Sequence, residues 1–182
     1  MNPLRNDPRF QAIVRQVGVP VVNLSPMDFA ETGALTTADL FKNFPAAYLQ
    51  NGDTGAVAAN RIERGQKVNI RNLDGNDNVR EIMMVDGFRT PPSGNGVCAI
   101  DPSIIPAISL DHVDILVDGA SATYGSDAET GVINVVLRRN FDGAITQLRY
   151  GTQAGGKNKY AASQLWGRTW DGGGITLGYE WY

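Results

Sequence analysis

Three aspartates and the single histidine lie close together in the sequence, and these residue types could perform acid–base chemistry. They are Asp111, His112, Asp114 and Asp118. A carboxylate and an imidazole can act as an acid–base pair only when both are held within hydrogen-bond reach of a substrate. Asp111 and Asp114 lie at the entrance of a predicted strand, and Asp118 precedes Gly119 in a predicted turn. We therefore expect solvated or turn-forming carboxylates, and a surface or packing role for His112, which has no evident partner.

Other reactive or ligand-binding patterns are not indicated. A single cysteine, Cys98, excludes an internal disulfide, and a single histidine gives no paired spacing for zinc. The glycine-rich turns match neither a GxxxxGK[ST] nor a GxGxxG pattern. The net charge of -3 provides no electrostatic footprint for nucleic acid. We expect no catalytic residue, metal, cofactor or nucleic-acid partner, which leaves binding as the function.

The segment around these residues is predicted to fold as a strand, a compact connection and a second strand. Residues 113–117 (VDILV) and 131–138 (GVINVVLR) are rich in Val, Ile and Leu. The residues between them are mostly small and turn-forming, so the connection can approach other backbone closely. Tyr124 is the only large side chain in the connection, and we expect it to anchor this segment.

This pattern resembles the signature near the end of the plug domain of TonB-dependent outer-membrane receptors. The similar stretches are residues 113–116, 118–122, 124–126 (YGS) and 131–134 (GVIN). This segment departs from the family pattern in two places. Val117 stands where an arginine usually follows the first strand, and Glu129-Thr130 replaces a pair that is usually apolar or small.

The chain before this segment also resembles the plug. Residues 19–24 (VPVVNL) predict a first strand, and Thr36 with Asp39 resembles a weak capping box for a short helix that ends at Phe44. Residues 67–73 and 79–86 predict a hairpin, and the second strand ends in Val-Asp-Gly. Residues 88–101 predict a long exposed loop, and residues 102–110 a turn or short helix.

After residue 140 the pattern changes to long alternating segments. Residues 144–150 and 175–182 alternate, with Leu148 and Tyr150 on one face of the first segment and Tyr179 and Trp181 on one face of the last. Residues 160–170 alternate less cleanly, because Gln164 and Arg168 share a face with Tyr160, Trp166 and Trp170, and glycine-rich turns separate the three segments. Such strands are typical of transmembrane β-barrels, although any half-exposed antiparallel sheet alternates in the same way. Three strands cannot close a barrel, since the smallest barrels have about eight.

The predicted fold class is therefore α+β: a plug domain with a small mixed β-sheet and short helices, followed by the first antiparallel strands of an incomplete transmembrane β-barrel. We divide the chain into a loosely ordered segment (1–18), the plug (19–140) and the first barrel strands (141–182). No apolar signal-peptide core precedes the plug, so we expect the export signal to be missing from this chain.

The resemblance implies roles for two groups of residues. Loops at 58–66 and 88–98 would hold the ligand, with Arg61, Arg64, Phe88, Arg89 and Asn95 as candidates for contact with a ligand such as an anionic ferric chelate. A second group would set the turns of the plug and its polar contacts with the barrel wall: Asn69, Arg71, Asp86, Gly87, Tyr124, Gly125, Gly131 and Asn134.

The resemblance also implies a function, a location and partners. The function would be the gating of energy-coupled uptake of a scarce nutrient, such as a ferric siderophore, cobalamin or an oligosaccharide. The location would be the outer membrane of a Gram-negative cell, and the partners would be TonB, outer-membrane lipid and a small-molecule ligand. One alternative is a soluble α+β ligand-binding domain with a C-terminal β-meander. An enzyme is the third hypothesis, and the lack of an arranged acid, base, nucleophile or metal group disfavours it.

Overall fold

A computed structural model describes residues 21–25, 36–42, 44, 47–51, 66–71, 81–91, 101–117, 121–153 and 157–182. The strands are β1 (Val21–Leu24), β2 (Ala47–Asn51), β3 (Gln66–Ile70), β4 (Glu81–Val85), β5 (Phe88–Arg89), β6 (Leu110–Leu116), β7 (Gly131–Leu137), β8 (Gly143–Gln153), β9 (Lys157–Trp170) and β10 (Gly173–Trp181). The α-helices are α1 (Thr37–Lys42) and α2 (Ser121–Tyr124), and short 3₁₀ helices cover Pro102–Ile104, Ala107–Ser109 and Ser126–Ala128.

A five-stranded mixed sheet forms the centre of the fold, with strand order β1-β6-β7-β4-β5. β6 is antiparallel to both β1 and β7, whereas β4 runs parallel to β7. β7 is buried along nearly its whole length, as its continuous apolar sequence predicts for a strand covered on both faces. The predicted strands at residues 19–24, 113–117 and 131–138 are confirmed over residues 21–24, 113–116 and 131–137, and β6 begins earlier, at Leu110.

Two hydrophobic clusters cover the two faces of this sheet. The larger cluster joins β6 and β7 to α1, β3 and the segment before β6, with Phe41, Ile70, Ile105, Val113 and Ile133 among its members. The smaller cluster lies on the other face, where Ala128 and the partly buried Tyr124 pack near Ile82, Met84, Leu116 and Val132. The connection between β6 and β7 therefore folds back over the sheet, and Tyr124 packs there as expected.

The predicted hairpin of residues 67–73 with 79–86 is wrong. β3 pairs with β2 in a separate two-stranded sheet, with Leu49 opposite Val68, and β4 pairs with β7 and β5. The physical reason is burial on both faces: Met83 of β4 belongs to the larger cluster, and Ile82 and Met84 belong to the smaller one, so β4 lies inside the five-stranded sheet. The sequence of β2, AYLQN, has little alternation, and this strand was not predicted.

The structure also tests the predictions made for the first helix and for Phe88 and Arg89. The main-chain N–H of Asp39 donates to Thr36 Oγ1 at 3.2 Å, and the Thr36 N–H donates to Asp39 Oδ2 at 3.1 Å, so the capping box is confirmed. The helix itself ends at Lys42, two residues before the predicted end at Phe44. Phe88 and Arg89 were expected in an irregular loop, but they form the short edge strand β5.

The last three strands form a separate antiparallel sheet in the order β10-β9-β8. The register places Tyr150 opposite Tyr160 and Trp166 opposite Leu177, so the large side chains of all three strands share one face. We call this the outer face of the three-stranded sheet, and the opposite side its inner face. The predicted alternation is confirmed, and β8 and β9 extend beyond the predicted limits.

The expected fold class, a mixed sheet with short helices followed by antiparallel strands, is confirmed. In the described part of the chain, no helix has the length and apolar character needed to cross a membrane. The same residues include no group of three or more His, Cys, Asp and Glu side chains that could hold a metal ion.

Candidate functional site

A row of polar side chains crosses the five-stranded sheet on the face that also carries the smaller hydrophobic cluster. Asn23 of β1 lies opposite Asp114 of β6, which lies opposite Asn134 of β7. Asn23 Nδ2 donates to Asp114 Oδ1 at 2.8 Å. The Gly87 N–H donates to Asn134 Oδ1 at 2.9 Å. Asp114 and Asn134 are both buried. This face of the sheet therefore carries buried polar side chains beside the apolar side chains of the smaller cluster.

His112 extends this row along β6. Its Nδ1 lies 2.7 Å from Asp111 Oδ2, and its Nε2 lies 3.4 Å from Asp114 Oδ2, a distance that allows charge attraction without good hydrogen-bond geometry. The register of β6 against β7 shifts between Leu110 and His112. Such an irregularity re-aims side chains, and here Asp111 and His112 are adjacent residues whose side chains meet. We call Asn23, Asp111, His112 and Asp114 the His112 cluster.

The charge state of His112 depends on these carboxylates. The contact with Asp114 raises the pKa of His112 above its ordinary value of 6.5, and Asp111 adds to this effect, although burial opposes it. The His112 side chain is only 7% exposed and that of Asp114 only 5%. A neutral imidazole would leave the buried carboxylate without its positive neighbour, which low-dielectric surroundings penalise.

Two sequence-based expectations are therefore wrong. His112 was expected to lack a partner, but its ring lies between two carboxylates. Asp114 was expected to be solvated, but it is buried beside Asn23 and His112. The sequence contained a signal for the partner of His112, since a carboxylate two residues away in a strand lies on the same face. The burial of Asp114 beside Asn23 depended on β1, which is distant in sequence.

A tight turn between β4 and β5 forms the next polar contact. Asp86 and Gly87 both have positive φ angles, 52° and 83°. The Leu137 N–H donates to Asp86 Oδ1 at 3.1 Å, and Arg139 Nη2 lies 3.2 Å from Asp86 Oδ2. This turn therefore fixes the end of β7, just before the chain enters the three-stranded sheet.

The predicted ligand-contacting residues are only partly described. Arg89 forms an ion pair with Asp127, which follows α2, and Phe88 is 77% exposed. The structure therefore places these two side chains on an edge strand, with the charge of Arg89 partly balanced. Arg61, Arg64, Asn95 and also Cys98 lie outside the described residues. Contact of Arg61, Arg64, Phe88, Arg89 and Asn95 with a ligand stays a prediction.

The predicted structural residues occupy varied positions. Asn69 is fully buried in β3, and neither of its amide atoms has a hydrogen-bond partner among the described residues. Arg71 is exposed at the end of β3 with φ 59°. Gly125 and Gly131 have φ angles of 92° and 155°, in the region that favours glycine. Their role in contacts with a barrel wall stays a prediction.

The inner face of the three-stranded sheet contacts the segment before β6. The Ala107 N–H donates to Glu180 Oε2 at 3.0 Å. A Cβ atom added at Gly178 would lie 3.4 Å from the side chain of Ser109, so this glycine permits close approach. On the other side of the segment, the Arg138 N–H donates to the Ser109 carbonyl at 2.9 Å. The two sheets are therefore joined through residues 107–109.

Sequence analysis did not identify this contact. Glu180 alternates with Tyr179 and Trp181, so the pattern placed it on the polar face of β10. Its partner is a main-chain N–H in a segment predicted only as a turn or short helix. No side-chain pattern can identify such a donor, because every residue except proline provides one.

A comparison with protein families shows which family the chain belongs to. The family model for the TonB-dependent Receptor Plug Domain matches residues 14–132, well over half of the chain. The chain belongs to the TonB-dependent receptor plug domain family. The matched residues cover the five-stranded sheet up to the beginning of β7. The resemblance inferred from the sequence is confirmed, and the expected outer-membrane location follows from this membership.

Curated relatives of this plug domain are much longer proteins. The chain is 28% identical over 149 residues to the vitamin B12 transporter BtuB of Vibrio vulnificus strain CMCP6, covering 80% of this chain and 22% of the relative. It is 27% identical over 131 residues to the TonB-dependent receptor SusC of Bacteroides thetaiotaomicron, covering 64% of this chain and 12% of the relative. The chain thus spans about a fifth or less of these relatives.

Solved structures show the same fold. The unliganded ferric citrate transporter FecA aligns with a TM-score of 0.66 at 23% identity, covering 92% of this chain and 26% of that chain. The siderophore receptor PirA from Acinetobacter baumannii aligns with a TM-score of 0.61 at 16% identity, covering 88% and 23%. Since these alignments extend over most of the chain, they support a plug followed by initial barrel strands.

Proposed function

We propose that this chain is the plug region, with the first barrel strands, of a TonB-dependent outer-membrane receptor that gates the energy-coupled uptake of a scarce nutrient. The observation that carries this proposal is the two-sided character of the three-stranded sheet. Its inner face contacts the plug at Ala107 and Ser109, whereas its outer face carries exposed aromatic and aliphatic side chains. A barrel wall around a plug requires this combination.

The outer face fits a lipid environment. Leu148 and Tyr179 are 80% and 67% exposed, and the rings of Tyr150 and Tyr160 lie 5.2 Å apart. Exposed apolar patches of this kind mark interaction surfaces. Gln164 and Arg168 are exposed polar residues on the same face, so the apolar surface is interrupted.

The ligand class and partners follow from the family by analogy. The relatives and structural neighbours include proteins named as a vitamin B12 transporter, a ferric citrate transporter and a siderophore receptor. We infer that the ligand is a nutrient complex of this general kind, that TonB supplies the energy, and that the chain performs no catalysis. Arg61, Arg64, Phe88, Arg89 and Asn95 stay the candidate ligand contacts, and Arg89 must exchange Asp127 for the ligand if it takes part.

Paired substitutions on adjacent residues of β8 test the orientation of the wall. Leu148 lies on the outer face and Gln147 on the inner face. A lysine on the lipid side of a barrel strand costs about 2–4 kcal/mol at the bilayer midplane, and much less near the interfaces. We expect Leu148→Lys to reduce flotation of the chain with phospholipid vesicles, while Gln147→Lys leaves it unchanged.

Flotation and oligomeric state also distinguish a receptor plug from a soluble ligand-binding domain. If the unmodified chain remains monomeric in detergent-free buffer and does not float with vesicles, its outer face is not a lipid-facing surface. A soluble ligand-binding domain with a C-terminal β-meander would then replace the receptor. Equal losses of flotation for Leu148→Lys and Gln147→Lys would contradict the assignment of the two faces.

A further inference from the structure

The His112 cluster lies at the attachment of the first strand to the five-stranded sheet. β1 is an edge strand, and β6 is its one partner in that sheet. Along this boundary, the described side-chain contact is the hydrogen bond from Asn23 to Asp114 at 2.8 Å. The other oxygen of the Asp114 carboxylate faces His112. One buried carboxylate is thus shared between the edge strand and a titratable ring.

The charge balance of the cluster changes with the proton on His112. Among the described residues, the charged groups that face His112 are Asp111 and Asp114 of its own strand. Across the sheet, β7 places Val136 opposite His112, and β1 contributes the neutral Asn23. A protonated ring therefore balances one of two carboxylates, whereas a neutral ring leaves both uncompensated within this set.

We propose that protonation of His112 holds β1 on the five-stranded sheet, so that the His112 cluster makes attachment of the first strand dependent on pH. Detachment of β1 removes Asn23 from Asp114 and admits water to this carboxylate, whereas Asp111 and Asp114 stay beside His112 on β6. Water weakens the attraction between a carboxylate and a cation. The attached state then binds the proton more tightly than the detached state, and by linkage the proton favours attachment. The proposal concerns this sheet alone and does not rest on the transport function.

The direction of the effect follows from the raised pKa of His112. The stabilisation is fully present below the pKa of His112 in the detached state and is lost as the pH rises through the higher pKa of the attached state. One pKa unit corresponds to a tenfold change in an equilibrium constant. Detachment of β1 should therefore increase by at most about tenfold for each unit by which the measured pKa exceeds that of the detached state.

The single histidine makes this measurable without ambiguity. We would titrate the imidazole resonances of the full chain in detergent micelles by NMR, between about pH 5.5 and about pH 8.5. In the same samples, amide hydrogen exchange would give protection factors for β1, with β4 as the internal reference after correction for intrinsic exchange. We expect β1 protection to fall with pH along the His112 titration curve while β4 protection stays constant.

Two variants identify the group responsible. His112→Gln can still form hydrogen bonds but does not titrate, so the pH dependence of β1 should disappear. Asn23→Leu removes the contact between β1 and Asp114 at an exposed position, so it should lower β1 protection at low pH and weaken its pH response. This second variant keeps the test decisive if His112→Gln does not fold.

Three results would each overturn the proposal. One is a His112 pKa at or below its ordinary value. Another is β1 protection that does not change across the titration. The third is a pH response of unchanged size in His112→Gln or in Asn23→Leu, because another titrating group would then control the strand.

Discussion

Gly131 lies so close to Leu116 that a Cβ atom on Gly131 would stand 2.3 Å from the Leu116 carbonyl oxygen. The same atom would lie 2.7 Å from Ile70 Cδ1, and the φ angle of Gly131 is 155°. Steric exclusion and backbone preference therefore act at one position. This glycine allows β7 to begin directly against the end of β6 and beneath β3.

We expect Gly131→Ala to destabilise the chain by more than about 2 kcal/mol, because a main-chain oxygen cannot move aside as a flexible side chain does. Gly151→Ala is the matched control, since a Cβ atom there would meet nothing within 4 Å. Thermal unfolding in detergent, followed by circular dichroism, would compare the two. Equal melting temperatures for both variants would contradict the close contact.

The Asp86 carboxylate provides a second prediction. Asp86→Ala loses the acceptor for the Leu137 N–H and the ion pair with Arg139, and it places alanine at a positive φ angle. We expect a loss of about 2 kcal/mol in the free energy of unfolding. Asp86→Asn tolerates the backbone and keeps an oxygen acceptor, so it should lose clearly less. If the two variants unfold alike, the contacts of the carboxylate do not hold the end of β7.

Glu180 is expected to hold the segment before β6 through one hydrogen bond. Glu180→Ala leaves the Ala107 N–H without its acceptor, at a cost of about 1–3 kcal/mol if the group stays buried. Glu180→Gln retains an acceptor oxygen and should preserve the contact. Amide exchange at Ala107 is the specific readout, and it should accelerate in the alanine variant alone. Unchanged exchange in both variants would show that another group holds residues 107–109.

The segment between β7 and β8 gives a fourth prediction. A Cβ atom at Gly167 would lie 2.4 Å from the Phe141 carbonyl oxygen and 2.8 Å from Phe141 Cδ1. Gly167→Ala must therefore displace the segment that precedes β8, and we expect a loss of about 2 kcal/mol in the free energy of unfolding. Chemical denaturation beside the Gly151→Ala control would measure it. If Gly167→Ala is as stable as the control, the segment before β8 moves without a loss of stability, which would contradict the close contact.

Local patterns predicted much of this fold. The β-branched run of residues 131–138 identified β7, and the alternation of large side chains identified β8, β9 and β10 and their outer face. The Thr36 and Asp39 pair identified the start of α1. Each of these signals lies within a few residues, where backbone periodicity and capping chemistry act directly.

Strand partners and the polar cluster were not predicted, because they depend on residues far apart in sequence. β4 appeared to pair with β3, its neighbour in the chain, but it pairs with β7, and its residues pack into the clusters on both faces of the five-stranded sheet. The irregularity at Asp111 has no marker such as glycine, so its contact with His112 was missed. Asn23 and Asp114 are 91 positions apart, and no local periodicity relates them.

That separation has a consequence for the order of folding. β6 and β7 are consecutive strands and can pair early, whereas β1 must wait until a loop of this length closes around them. Contacts of high sequence separation form slowly, because the entropy of loop closure is lost before the contact is gained. During refolding, the edge of β6 that β1 finally covers would remain open to other chains. Slow docking of β1, rather than weak hydrophobic burial, is the step at which we expect aggregation to compete with the native state.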